Sequence, residues 1–167
     1  MKKFTLPKDG GLIEAGMPEG ILHSYERIPA QIFEDEDVAS ADLADVIIGA
    51  VNGSYGSFRL GLTTGTSPVS LYRELVRRHK AGDISFANVE IFSIDEYYPA
   101  PAPSQSRNNR LYEELISKID VKHGNVHVPR YDEVKSTVTE SNAAFDKMAK
   151  GLDLLVMGVG EQGQLGF

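Results

Sequence analysis

Val89-Glu90-Ile91-Phe92-Ser93-Ile94-Asp95-Glu96-Tyr97-Tyr98-Pro99 is the stretch whose reading decides the fold. A run rich in β-branched and aromatic residues leads into two carboxylates, two tyrosines and a proline. The apolar part, residues 89–94, reads as a buried strand. Pro99 has no N–H to give and forbids a simple continuation. Asp95 then stands at the carboxyl end of a strand, where open α/β sheets place their ligands. If the chain does chemistry, it is expected here.

Upstream, Arg59-Leu60-Gly61-Leu62 reads as a short strand, followed by Thr63-Thr64-Gly65-Thr66-Ser67-Pro68. Ser67 suits an N-cap and Pro68 the first position of a helix. Leu71, Tyr72, Leu75, Val76 and His79 continue at helical spacing, with Gly82 as the stop. Strand, hydroxyl-rich glycine loop and helix start make a natural anion site of backbone N–H groups and helix dipole. A plain cap at Ser67 and a plain turn at Gly65 account for the same residues equally well. No Gly-Lys-Ser/Thr follows, so this is not a Walker loop. Before it, Ala39, Leu43, Val46, Ile47 and Ala50 predict a helix. Asp35, Glu36 and Asp37 lie near its start and Asn52-Gly53 at its stop.

Downstream, Pro101 to Ser106 is a loop, and Leu111, Leu115, Ile116 and Ile119 predict a helix starting near Ser106 or Asn108. Val126-His127-Val128 reads as a brief strand. Val134, Val138, Phe145 and Met148 predict a further helix closed at Lys150-Gly151. Residues 152–157 form an apolar strand with little alternation, as buried parallel strands tend to have. The alternation of strands and helices predicts an α/β fold: a Rossmann-like open, mostly parallel sheet with helices on both faces. Residues 1–30 carry four glycines and three prolines without clear periodicity and read as an N-terminal arm. Residues 31–167 read as the α/β domain. A glycine loop after a buried strand should lead into another element, so the ending at Phe167 reads as a fragment or truncated product.

Composition bounds the partners. The chain has 167 residues, enough for one domain with a real core, and 17 basic against 24 acidic residues give a net charge of -7. That balance argues against nonspecific binding to nucleic acid or to an anionic membrane. No apolar run approaches the roughly 20 residues needed to span a bilayer. With no cysteine, disulfides, thiol nucleophiles and cysteine-ligated metals are excluded. His23, His79, His123 and His127 show no metal-ligand spacing and are expected at the surface or in packing. The cytoplasm is the default location, and a homo-oligomer stays open.

Leu60 to Pro68, the strand ending Ser93-Ile94-Asp95-Glu96-Tyr97, and Leu154-Leu155-Val156-Met157-Gly158-Val159-Gly160 together resemble successive signatures of the glucosamine-6-phosphate deaminases. These are also called glucosamine-6-phosphate isomerases and share a fold with 6-phosphogluconolactonases. The match runs from about residue 30 to the end. The resemblance implies an enzyme converting glucosamine 6-phosphate and water into fructose 6-phosphate and ammonia, with a small phosphosugar as partner and with no metal or redox cofactor. It puts Thr64, Gly65, Thr66 and Ser67, with Gly160, at the substrate-binding positions. It makes Asp95 the carrier of a proton between C2 and C1, a task for a carboxylate within hydrogen-bond reach of the C2 hydrogen. Glu96, next along, should point elsewhere and be structural. Arg107 and Arg110 are candidates for a phosphate or for a solvated helix face, and Tyr97 and Tyr98 for a sugar pocket or for packing.

The resemblance departs from the family pattern in the last motif. Gln162 and Gln164 stand at the catalytic positions where the family carries aspartate and histidine for ring opening. A glutamine is no general base, though its amide can hydrogen-bond sugar hydroxyls. Three rivals therefore stand beside the deaminase: a 6-phosphogluconolactonase-like hydrolase, a non-catalytic phosphosugar sensor, and a dinucleotide binder read from Gly158-x-Gly160-x-x-Gly163. The last requires a following helix and an acidic residue about 20 positions on.

Overall fold

A computed structural model describes residues 31–99, 102–129, 137–159, 162, 163 and 165. The arm read over residues 1–30 lies outside the described residues. The elements are α1 (Glu36–Asn52), β1 (Phe58–Leu62), α2 (Val69–Ala81), β2 (Val89–Ser93), α3 (Arg107–Glu114), β3 (Val126–His127), α4 (Val138–Met148) and β4 (Leu154–Val156). Each strand pairs in parallel with its neighbours, in the order β3-β2-β1-β4.

Local chemistry explains most of the boundaries. Asp35 caps α1, its carboxylate accepting from the Val38 N–H at 2.8 Å. Gly82 ends α2 in the left-handed region at φ 84°, and Asp83 and Gly82 donate to the carbonyls of Arg78 and His79. Those paired bonds are a Schellman motif, which favours glycine because a Cβ would be strained at that φ. Ser67 does not cap α2, contrary to the sequence expectation. Pro68 holds the cap position without a side-chain bond and Ser67 is exposed, so the helix starts one residue later than expected.

Leu60, Ile91, Val126 and Leu154 share one level across the sheet and one face of it. That face meets α1, α2 and α3 in a core containing Ile47, Leu60, Leu75, Ile91, Leu111 and Leu115. The β1–α2–β2 and β2–α3–β3 crossovers advance in one direction, and β3–α4–β4 returns past β1. Right-handed connection then sends α4 to the other face. On that face the Cβ of an alanine at Gly61 would fall 2.6 Å from Leu155 Cδ1 and 2.8 Å from Leu152 Cδ1. Glycine there lets both leucines lie across β1.

Two apolar expectations are corrected. β4 is half-exposed, with Leu155 at 44%, because it sits at the edge of the described sheet and is paired on one side. Helix α4 forms, started by a Thr137–Glu140 capping box, yet none of its residues is buried and Met148 is exposed. Val134 lies outside the described residues. Of the histidines expected at the surface or in packing, His123 is exposed, His79 and His127 pack, and His23 lies outside the described residues. His127 stacks on Phe92 with centroids 4.5 Å apart, and His79 meets the edge of Phe86 at 6.0 Å.

Candidate active site at the carboxyl edge of the sheet

The strand order turns back on itself beside β1, and the carboxyl ends of β1, β2 and β4 converge there. The Ile94 N–H donates to the Leu62 carbonyl at 3.2 Å and the Thr63 N–H to the Val156 carbonyl at 3.0 Å. The three motifs picked out in the sequence therefore leave the sheet along one edge. Such a switch point is where doubly wound sheets open a ligand crevice.

Thr64 and Asp95 are brought together. The Thr64 hydroxyl donates to Asp95 Oδ1 at 2.6 Å, and both side chains are buried, Asp95 at 8% exposure. The loop's position is held from below by Tyr72, on the inner face of α2, whose hydroxyl donates to the Thr63 carbonyl. Burial, and then the negative charge of Asp95, push the Tyr72 phenol well above its ordinary value of 10. It thus stays protonated and stays a donor. Gly65 turns the loop at φ 114°, a conformation side chains resist. Thr66 and Ser67 are exposed just ahead of α2, where backbone N–H groups and the helix dipole favour an anion.

Glu96 does point elsewhere, as the alternation of a strand end requires. Its carboxylate accepts from the Ser106 hydroxyl at 2.5 Å, the Tyr97 N–H at 2.9 Å, and the N–H groups of Arg107 and Asn108 at 3.1 Å each. Ser106 in turn caps α3 through the Asn109 N–H at 3.0 Å. Glu96 and Ser106 between them satisfy the first three orphan N–H groups of α3. Burial alone would raise the Glu96 carboxyl, but these hydrogen bonds outweigh it and hold the group below its ordinary 4.5.

That clamp delivers Arg107. Its Nη1 lies 3.0 Å from Asp95 Oδ2, its Nη2 donates to the Tyr97 hydroxyl at 3.2 Å, and its guanidinium sits 4.9 Å from the Tyr97 ring centroid. Of the two roles read for Arg107, the structure favours neither bare version: the side chain faces the candidate base. Tyr97 and Tyr98 are exposed at 44% and 50%, so neither packs in the core. Buried Ser93 donates to Asn108 Oδ1 at 2.5 Å, a second tie between β2 and α3. Tyr72 and Ser93 were invisible as site residues in the sequence, since each is simply the inward position of its element.

Gln162 is exposed and lies past the end of β4, while Gly160 and Gln164 lie outside the described residues. Val159 bridges to Leu165 in antiparallel fashion, so the described part of this segment folds back on itself. Among the described residues no group of three or more His, Asp or Glu side chains is arranged to hold a metal ion. A cavity of about 370 Å³ lies between α3 and β3, lined in part by Ser106, Asn108, Tyr112 and His123. It touches the α3 clamp but not Thr64 or Asp95. We therefore place the candidate site at the switch point, where the carboxylate and its partners meet.

The fold and site define a doubly wound parallel α/β protein with a hydrogen-bonded carboxylate at the switch point. Residues 34–165 match the model of the glucosamine-6-phosphate isomerases/6-phosphogluconolactonase family, and the chain belongs to that family. It is 34% identical over 140 residues to a glucosamine-6-phosphate isomerase of Candida albicans, covering 81% of this chain and 56% of that protein. Its fold matches a monomeric glucosamine-6-phosphate deaminase with a TM-score of 0.73 at 21% identity, over 81% of this chain and 56% of that one. It also matches a 6-phosphogluconolactonase of Thermotoga maritima with a TM-score of 0.67 at 18% identity, over 81% and 62%. The chain spans about half the length of the curated relatives it matches. No helix among the described residues is long and apolar enough to cross a membrane.

Proposed function

We propose that the chain carries the sugar-phosphate-binding edge and the proton carrier of an amino-sugar phosphate deaminase/isomerase. The substrate is taken to be glucosamine 6-phosphate, a small phosphosugar met in the cytoplasm. The observation that carries the reading is the Thr64–Asp95 hydrogen bond of 2.6 Å at the mouth of β1 and β2. In this reading Asp95 takes the C2 proton of the open-chain sugar and returns it to C1. A carboxylate suits that exchange because it can take a proton from one carbon and return it to the next. Thr64 fixes the plane of the carboxyl group, so the base meets its proton without reorientation. The loop of Gly65, Thr66 and Ser67 with the start of α2 receives the phosphate. Gln162 and Gln164 contribute amide contacts to sugar hydroxyls rather than acid–base chemistry.

Incubation of the protein with glucosamine 6-phosphate should release ammonia, and Asp95→Asn should reduce release by at least about 100-fold while leaving calorimetric binding of the sugar phosphate within a few-fold. A wild-type protein that neither releases ammonia nor binds the sugar defeats the proposal. The likeness to 6-phosphogluconolactonase keeps one rival. Faster hydrolysis of 6-phosphogluconolactone than ammonia release would transfer the assignment to it.

A further inference from the structure

The three motifs leave one charge at the site without a task. Arg107 reaches Asp95 from across the Pro99 loop. It is held there by Asp95 Oδ2 at 3.0 Å, by the Tyr97 hydroxyl and ring, and through its backbone N–H by Glu96. Its side chain keeps 22% exposure beside a carboxylate with 8%. The cation is thus positioned on the solvent side of the base, where a substrate must enter.

We propose that Arg107 is the electrophile of the site, the donor that holds the negative charge formed on the substrate's carbonyl oxygen when Asp95 removes the adjacent proton. The proposal rests on the isomerase reading of Asp95 and assigns its missing counterpart. In the step itself the C2–H bond breaks and the proton passes to Asp95. The electron pair becomes a C1=C2 double bond, and the carbonyl pair moves onto O1, against the guanidinium. The proton then returns from Asp95 to C1. O1 takes up a proton as the nitrogen gives one up, leaving an imine at C2 that water hydrolyses to ketone and ammonia.

Proton bookkeeping singles out this residue. The buried hydroxyls grouped with Asp95 each have one hydrogen, and each is committed: Thr64 to Asp95, Tyr72 to the Thr63 carbonyl, Ser93 to Asn108; the exposed Tyr97 hydroxyl accepts from Arg107 itself. A guanidinium carries five N–H donors in a planar fork, so it can serve the base and a substrate oxygen together. The geometry fits the chemistry. O1 is bonded to C1, the neighbour of the carbon being deprotonated. A carboxylate and a guanidinium already 3.0 Å apart can therefore reach the C2 hydrogen and O1 of one substrate together.

The test compares two ligands by calorimetry: glucosamine 6-phosphate, and 5-phosphoarabinonohydroxamate, whose planar, anionic head mimics the enediolate. The proteins are wild type, Arg107→Met and Arg107→Lys, each checked for folding by circular dichroism. Wild type should prefer the hydroxamate by about 100-fold, at the low end for a transition-state mimic. Arg107→Met should bind glucosamine 6-phosphate within about threefold of wild type and lose most of that preference, and Arg107→Lys should keep part of it. A preference unchanged in Arg107→Met, an equal loss for both ligands, or no preference in wild type overturns the assignment and leaves the isomerase reading standing. Wild type binding neither ligand overturns both.

Discussion

Replacing Glu96 by glutamine separates the two adjacent carboxylates experimentally. The side chain keeps its shape, but one of its two acceptor oxygens becomes an N–H₂ group facing donors, and the charge at the α3 N-terminus is lost. Four bonds are at stake, three of them to backbone N–H groups. Loss of a helix cap costs about 0.5–2 kcal/mol, and loss of a carboxylate at a helix N-terminus about 0.3–1 kcal/mol. Glu96 is partly exposed, so water replaces some of the lost bonds, and the retained amide oxygen still accepts. A net loss of about 1–2 kcal/mol follows at pH 7, which lowers Tm by roughly 3–6 °C for a chain of this length. The pH dependence identifies the cause. The folded-state pKa of Glu96 lies below its ordinary 4.5. Its contribution is therefore full above about pH 5 and is lost as pH falls through the folded value. Urea unfolding of wild type and Glu96→Gln at pH 7 should differ by the full amount, and the gap should narrow steadily below pH 4.5. Equal stabilities at pH 7, or a gap undiminished at pH 3, would refute the argument that Glu96 acts as an ionised clamp on α3.

Two further substitutions probe the supports of the site. Tyr72→Phe removes the buried donor to the Thr63 carbonyl and should cost about 1–3 kcal/mol in urea unfolding, since the orphaned carbonyl is shielded from water; a cost within error of zero would mean that the loop is held by other bonds. Gly61→Val places a branched side chain against Leu152 and Leu155, the Cβ alone approaching to 2.8 and 2.6 Å. It should cost about 1–3 kcal/mol, with Gly61→Ala milder because the clashing groups are the flexible ends of leucines. An unchanged denaturation midpoint for both would show that the second face has room to spare.

The elements that could be read from the sequence were those whose signals are local. Asp35, Gly82 and Ser106 announce helix ends because a cap is a contact over three or four residues. β2 announces itself by composition because it is buried on both faces. The errors have the same origin seen from the other side. Residues 152–157 read as buried because apolar runs carry no record of how many neighbours a strand has, and β4 lies at the edge of the described sheet. Ser67 read as a cap because Ser-Pro suits a helix start, yet the turn at Gly65 leaves its side chain in solvent.

The site was half legible for a related reason. Asp95 and Glu96 are neighbours of one residue type, and nothing in the pair itself says which faces the crevice. The decision is made by α3. Once Ser106 caps that helix, its first N–H groups need an acceptor, and the strand-end carboxylate on their side is Glu96. Asp95, on the other side of the alternation, is left to Thr64 and to the first side chain of the new helix, which is Arg107. The charge partner of the candidate base is thus fixed by a capping serine ten residues beyond Glu96 rather than by the strand that bears it. In a chain of this pattern, the residue just after the cap is the one to read alongside the aspartate.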